Sequence, residues 1–99
     1  MKLVERIESV EYHRNGIAGR GFTVVTFWHR FGPLGPRRMV AILPFGVNGE
    51  EEYNRAECYV LDAESVAQNN LHDRWRGDNF ADELIPLLKA RIEAERAVS

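Results

Sequence analysis

Between Glu11 and Glu50 the chain contains no aspartate or glutamate. That span holds Arg14, Arg20, Arg30, Arg37 and Arg38, together with His13 and His29. The whole chain has a formal net charge of -2, so a nearly neutral protein carries one cationic stretch between acidic flanks. Charge segregation of this kind steers anionic partners. Lysine is scarce as well: among the 13 basic residues only Lys2 and Lys89 are lysine. A ratio like that often reflects GC-rich coding, so it says little about arginine-specific recognition.

Cysteine occurs once. Cys58 rules out an intramolecular disulfide, and the setting expected for such a chain is a reducing, cytoplasmic one. No stretch approaches the ~20 apolar residues of a membrane span, and residues 1–6 lack an apolar run of signal-peptide length. Repeats, linkers and low-complexity segments are missing too. The composition, 44% hydrophobic and 28% charged, suits a soluble globular protein. Residues 1–99 are therefore expected to form a single domain with one core, disordered only at its ends.

The clearest element spans residues 22–28, Phe-Thr-Val-Val-Thr-Phe-Trp, a run of β-branched and aromatic residues. Phe22, Val24, Thr26 and Trp28 fall on one face, and Thr23, Val25, Phe27 and His29 on the other. Both faces are largely apolar, which predicts a central strand covered on at least one side. Residues 7–13 read as a strand placing Glu8, Val10 and Tyr12 together, although Leu3, Ile7 and Val10 also recur at helical spacing; the strand is preferred. Asn15-Gly16, just beyond, is a hairpin signal. Residues 38–43 give a third strand ended by Pro44, after the turn-rich segment 32–36. Residues 46–54 read as an acidic loop, and residues 55–61 as a fourth strand, with Ala56, Cys58 and Val60 on one face.

Beyond it, Asp62 is placed to cap a helical turn within residues 63–69. Residues 74–79, Arg-Trp-Arg-Gly-Asp-Asn, read as a loop leading into a final helix over about 80–96. There Phe80, Ala81, Leu84, Ile85, Leu88 and Ile92 form one apolar stripe. Pro86 either kinks this helix or opens a second one. The fold expected from these elements is α+β: an antiparallel meander of three to four strands with the C-terminal amphipathic helix packed on one face.

Reactive motifs are lacking. Cys58 is a lone cysteine in an alternating strand, which reads as a small buried hydrophobe rather than a nucleophile. His13, His29 and His72 lie at none of the short paired spacings of metal sites, so no metal is expected. The glycine-rich segment 16–21 has neither the Gly-Lys-Ser/Thr of a phosphate loop nor the spacing of a dinucleotide site, and no cofactor is expected. Glu50, Glu51 and Glu52 lack the spaced oxygens of a calcium loop and read as a solvated face. In Arg76-Gly77-Asp78, Gly77 is expected to turn the backbone and Asp78 to cap the helix. Trp75 is either a plug at the core edge or an anchor for a partner, and the plug is preferred.

The binding residues singled out are Arg30, Arg37, Arg38, Trp28, His29, Trp75 and Arg76. A hairpin of the second and third strands gathers the first five at one end of the sheet. The function expected is that of a small non-catalytic binding or regulatory module, not an enzyme, that docks on another protein or self-associates as a homodimer. The alternative is a nucleic-acid-binding accessory protein using Arg30, Arg37 and Arg38, since arginines contact phosphate and aromatics stack on bases. The overall acidic charge weighs against that alternative.

Overall fold

The computed structural model describes residues 2–13, 21–30, 33, 35–44, 53, 55–72 and 74–98. The Asn15-Gly16 hairpin signal and the Glu50–52 run lie outside them, and so does most of the segment 16–21. Five strands form one antiparallel sheet in the order β1-β2-β3-β4-β5. They are β1 (Val4–His13), β2 (Phe22–Arg30), β3 (Pro36–Pro44), β4 (Tyr59–Asp62) and β5 (Arg74–Arg76). Helix α1 (Ala63–Ala67) joins β4 to β5, and α2 (Asp78–Val98) ends the chain. The α+β meander with a C-terminal helix is as the sequence pattern predicts, but the sheet has five strands rather than three to four.

The additional strand is Arg74–Arg76, where a loop was expected. Three residues flanked by polar chain carry too little alternation to signal a strand. Its pairing with β4, Tyr59 to Arg76, Val60 to Trp75 and Leu61 to Arg74, defines it instead. The fourth strand is correspondingly shorter than expected: Arg55–Glu57 is a 3-10 turn and pairing starts at Tyr59. Asp62 caps α1 as expected, accepting a hydrogen bond from the Glu64 amide. Pro86 sits inside a continuous α2 on its exposed side.

Pleating sorts the side chains onto two faces. On the inner face, Val25 and Phe27 of β2, Met39, Ala41 and Leu43 of β3, and Val60 of β4 pack with Ala81, Leu84 and Leu88 of α2. All of these are buried. The stripe read from the sequence is therefore the face that α2 lays on the sheet. The outer face carries Phe22, Val24, Thr26 and Trp28, which are half-buried, next to Ile42 and Tyr59. Helix α1 packs against β3 and β4, and the outer-face residues Val40 and Leu61 are buried there.

β1 departs from simple alternation. Its pairing with β2 shifts register between Val4 and Arg6 and again between Ile7 and Ser9. The second irregularity is a bulge, and bulges redirect side chains. Of the three residues expected to share a face, Val10 and Tyr12 do so, on the inner side opposite Val25 and Thr23, and Glu8 does not. Glu8 is turned to the outer face, where it meets Trp28 and Arg38. At the start of β1, Glu83 of α2 accepts hydrogen bonds from the amides of Leu3 (2.8 Å) and Val4 (3.1 Å). The Leu3 carbonyl accepts from the Arg30 amide (3.1 Å) and from His29 Nδ1 (2.8 Å). Leu3 thus ties the helix to both strands. Among the described residues, no helix is long and apolar enough to cross a membrane.

Candidate binding site

The β2–β3 hairpin brings the expected residues to one end of the sheet. Trp28 is opposite Arg38, His29 opposite Arg37, and Arg30 opposite Pro36. Alternation then divides them. Trp28 and Arg38 project on the outer face, and His29 and Arg37 on the inner face beside Phe27 and Met39.

On the outer face Arg38 is held by Glu8, with Nε at 3.0 Å and Nη2 at 2.5 Å from the same carboxylate oxygen. Trp28 Nε1 donates to the other oxygen of Glu8 at 3.3 Å. The Arg6 guanidinium lies 5.1 Å from the Trp28 ring centroid. Bonding to Arg38 holds the Glu8 carboxyl below its ordinary value of 4.5. A depressed carboxyl contributes stability above its ordinary pKa and loses it as the pH falls through the lowered one. Glu8 is exposed, so water screens most of that contribution.

At the inner face and its β5 edge the two groups of candidate residues meet; Arg76 pairs with Tyr59 and so starts on the outer side, its long side chain reaching the cavity round the edge. His29 and Arg37 come from the hairpin, and Trp75 and Arg76 from β5. With Met39 and Phe80 they line one cavity of about 400 Å³. The His29 ring packs edge-on against Phe80 at 5.0 Å. Register explains this meeting: Trp75 pairs with Val60, whose side chain belongs to the inner core, so Trp75 extends that face to the sheet edge. The plug reading of Trp75 gives way here, since half of its surface (50%) is exposed. A second cavity of about 410 Å³ adjoins the first across Trp75 and Arg37, and Asp62, Ser65, His72 and Arg74 complete it. Arg37 Nη2 lies 2.5 Å from Asp62, and Arg76 Nη2 lies 3.3 Å from Asp78.

Sequence reasoning missed Met39 and Phe80 as cavity walls, because both read as ordinary core. It also missed Arg74, whose guanidinium covers the Tyr59 ring at 5.3 Å. The Arg-Trp-Arg alternation itself was the available signal: charged outward, apolar inward, at strand spacing.

Cys58 is fully buried, as its place in the sequence suggests. Burial pushes its thiol up to about 12, and the nearby Asp78 carboxylate adds to the effect. At pH 8 the thiol stays protonated. The native protein is therefore expected to stay unmodified by an aromatic disulfide reagent at that pH and to react fully once denatured. Rapid modification under native conditions would show that the thiol is open and activated. Among the described residues, no three His, Cys, Asp or Glu side chains converge to hold a metal ion.

The cavity has an aromatic wall, an apolar floor and guanidinium groups at its rim. Compared with protein-family models, with curated proteins and with solved structures, the chain matches none.

Proposed function

We propose that this chain is a small non-catalytic docking module that associates with a second copy of itself through the outer face of its sheet. One observation carries the reading. Helix α2 fills the inner face, whereas the outer-face residues Phe22, Val24, Thr26, Trp28 and Ile42 stay half-buried even with α1 in place. A contiguous apolar face of this kind is a favoured interface.

Charge supports a second copy as the occupant. The rim holds opposite charges side by side, Arg38 with Glu8, and Arg6 lies over Trp28. A two-fold contact places the same patch against itself, and a patch of mixed sign can set unlike charges opposite one another where a cationic patch would repel its copy. The nucleic-acid reading draws less support. The pleat divides its arginines between two faces, and Arg37 and Arg38 each hold a carboxylate.

Sedimentation at high micromolar concentration tests the proposal. A dimer is expected for the parent, with a melting temperature that rises with concentration. Ile42→Lys and Phe22→Lys are each expected to give a folded monomer. A parent that sediments as a clean monomer removes the reading.

A further inference from the structure

From the Trp75 cavity and the adjoining edge of β5 we infer a docking site for an extended acidic segment of another protein, with one apolar side chain seated against Trp75, Met39 and Phe80.

The sheet order leaves β5 as an edge strand, and an edge strand offers unpaired backbone groups to an incoming chain. The Gly77 amide donates to the Cys58 carbonyl at 2.8 Å. Antiparallel alternation then turns the amide of Trp75 toward β4 as well and directs those of Arg74 and Arg76 outward. A chain laid along β5 would meet those two residues' backbone groups directly. Its side chains would alternate, one toward Trp75 on the inner face and the next toward Arg74 and Arg76 on the outer face.

Charge selects the partner. Arg37 and Arg76 line the Trp75 cavity; each already holds one carboxylate, Asp62 and Asp78 respectively, and each is exposed and keeps further guanidinium donors for a second one. The adjoining cavity adds Arg74, so three guanidinium groups stand against the two carboxylates of Asp62 and Asp78. Two β5 edges brought together would set arginine against arginine, so this edge disfavours its own copy. An acidic strand meets the opposite situation, because carboxylates accept from guanidinium groups in paired, directional bonds. The half-exposed Trp75 at the centre is the residue type that anchors interfaces, and the aromatic and methionine walls beside it exclude water from the seated side chain. An extended segment fits better than a compact anion. The two cavities flank Trp75 and share Arg37, so one strand running past Trp75 reaches both.

The test uses the full chain and three fluorescein-labelled probes: a peptide pool alternating Asp or Glu with Leu, Phe or Trp, the same pool with Lys or Arg in place of the acids, and an oligothymidine. The acidic pool is expected to bind and to weaken as salt rises. Trp75→Ala is expected to reduce its affinity about tenfold or more. Arg76→Glu, at an exposed position that leaves the core untouched, should do the same and flatten the salt dependence. Ile42→Lys should bind the pool as the parent does, which separates this site from self-association through the outer face. Absence of binding by the acidic pool, equal binding of the basic pool, or affinity unchanged in both Trp75→Ala and Arg76→Glu would overturn the inference. Preference for the oligothymidine would transfer the site to single-stranded nucleic acid.

Discussion

Leu84→Asp and Leu88→Asp are each expected to unfold the protein. Both leucines are fully buried in α2, in one cluster with Val25, Phe27, Met39, Leu43 and Val60 of the sheet. The cluster offers apolar side chains and no cation to pair with a new carboxylate. Burying such a group without a partner costs several kcal/mol, whether it stays ionised or is forced to take up a proton. The substitution also removes the packing of the leucine, and truncations of that kind cost about 2–5 kcal/mol on their own. Together these match the entire stability of a small protein, roughly 5–15 kcal/mol. Leu87→Asp is the control. Leu87 lies on the same helix but is 46% exposed, and exposed substitutions usually change stability by less than about 0.5 kcal/mol. Circular dichroism melts should show no cooperative transition for either buried variant and a near-parental one for Leu87→Asp. A cooperative melt near the parental temperature for Leu84→Asp would mean that α2 does not cover the sheet.

How much of this could be read along the chain depended on whether a signal was local. The stripe from Ala81 to Ile92 and the doubly apolar strand over residues 22–28 were legible, because burial imposes periods of 3.6 and 2 directly on neighbouring residues. The cap at Asp62 was legible for the same reason, since its partner lies two residues away. Features set by a distant partner were not. Arg74–Arg76 is a strand only because β4 offers it an edge. Arg55–Glu57 alternates in polarity as a strand does, yet it forms a 3-10 turn, and three residues are too few to separate the two. The bulge that turns Glu8 outward arises from how β1 registers on β2, and nothing in residues 7–9 announces it.

The candidate site divides along the same line. His29, Arg37, Trp75 and Arg76 stood out individually, as cations and aromatics in unusual places. Their assembly into one cavity required the register of four strands and the docking of Phe80. Arg38 and Trp28 attracted notice by the same criteria and lie on the opposite face, because a one-residue offset in a strand reverses direction. A cluster along a sequence is thus a guide to one end of a sheet and not to one surface.

Gly77→Ala is expected to destabilise the protein by about 1–3 kcal/mol, and Val60→Ala to relieve most of that cost. The usual reason for a glycine, a left-handed backbone, does not operate here; closeness does. A Cβ on Gly77 would come 2.4 Å from Val60 Cγ2 and 3.1 Å from Cys58 Sγ, where carbon atoms prefer about 3.5–4.0 Å. Val60 has little freedom to yield, being fully buried and β-branched, hence stiff at χ1. The chain is pinned on both sides of the contact. The Gly77 amide donates to the Cys58 carbonyl, and the Gly77 carbonyl accepts from the Ala81 amide, each at 2.8 Å. Gly77 therefore fixes where β5 ends and α2 begins, and with that the position of Trp75 and Arg76 relative to the cavity. Val60→Ala alone should cost roughly 2 kcal/mol from the two carbons lost in the core. In the double variant the alanine methyl at position 77 occupies the space that Val60 vacates. Its total cost should fall below the sum of the singles by at least about 0.5 kcal/mol, the lower end of coupling between residues in contact. Urea denaturation of the four proteins measures the cycle. Additive costs would show that Gly77 is not held against Val60, and the junction would then have to be placed by the two hydrogen bonds alone.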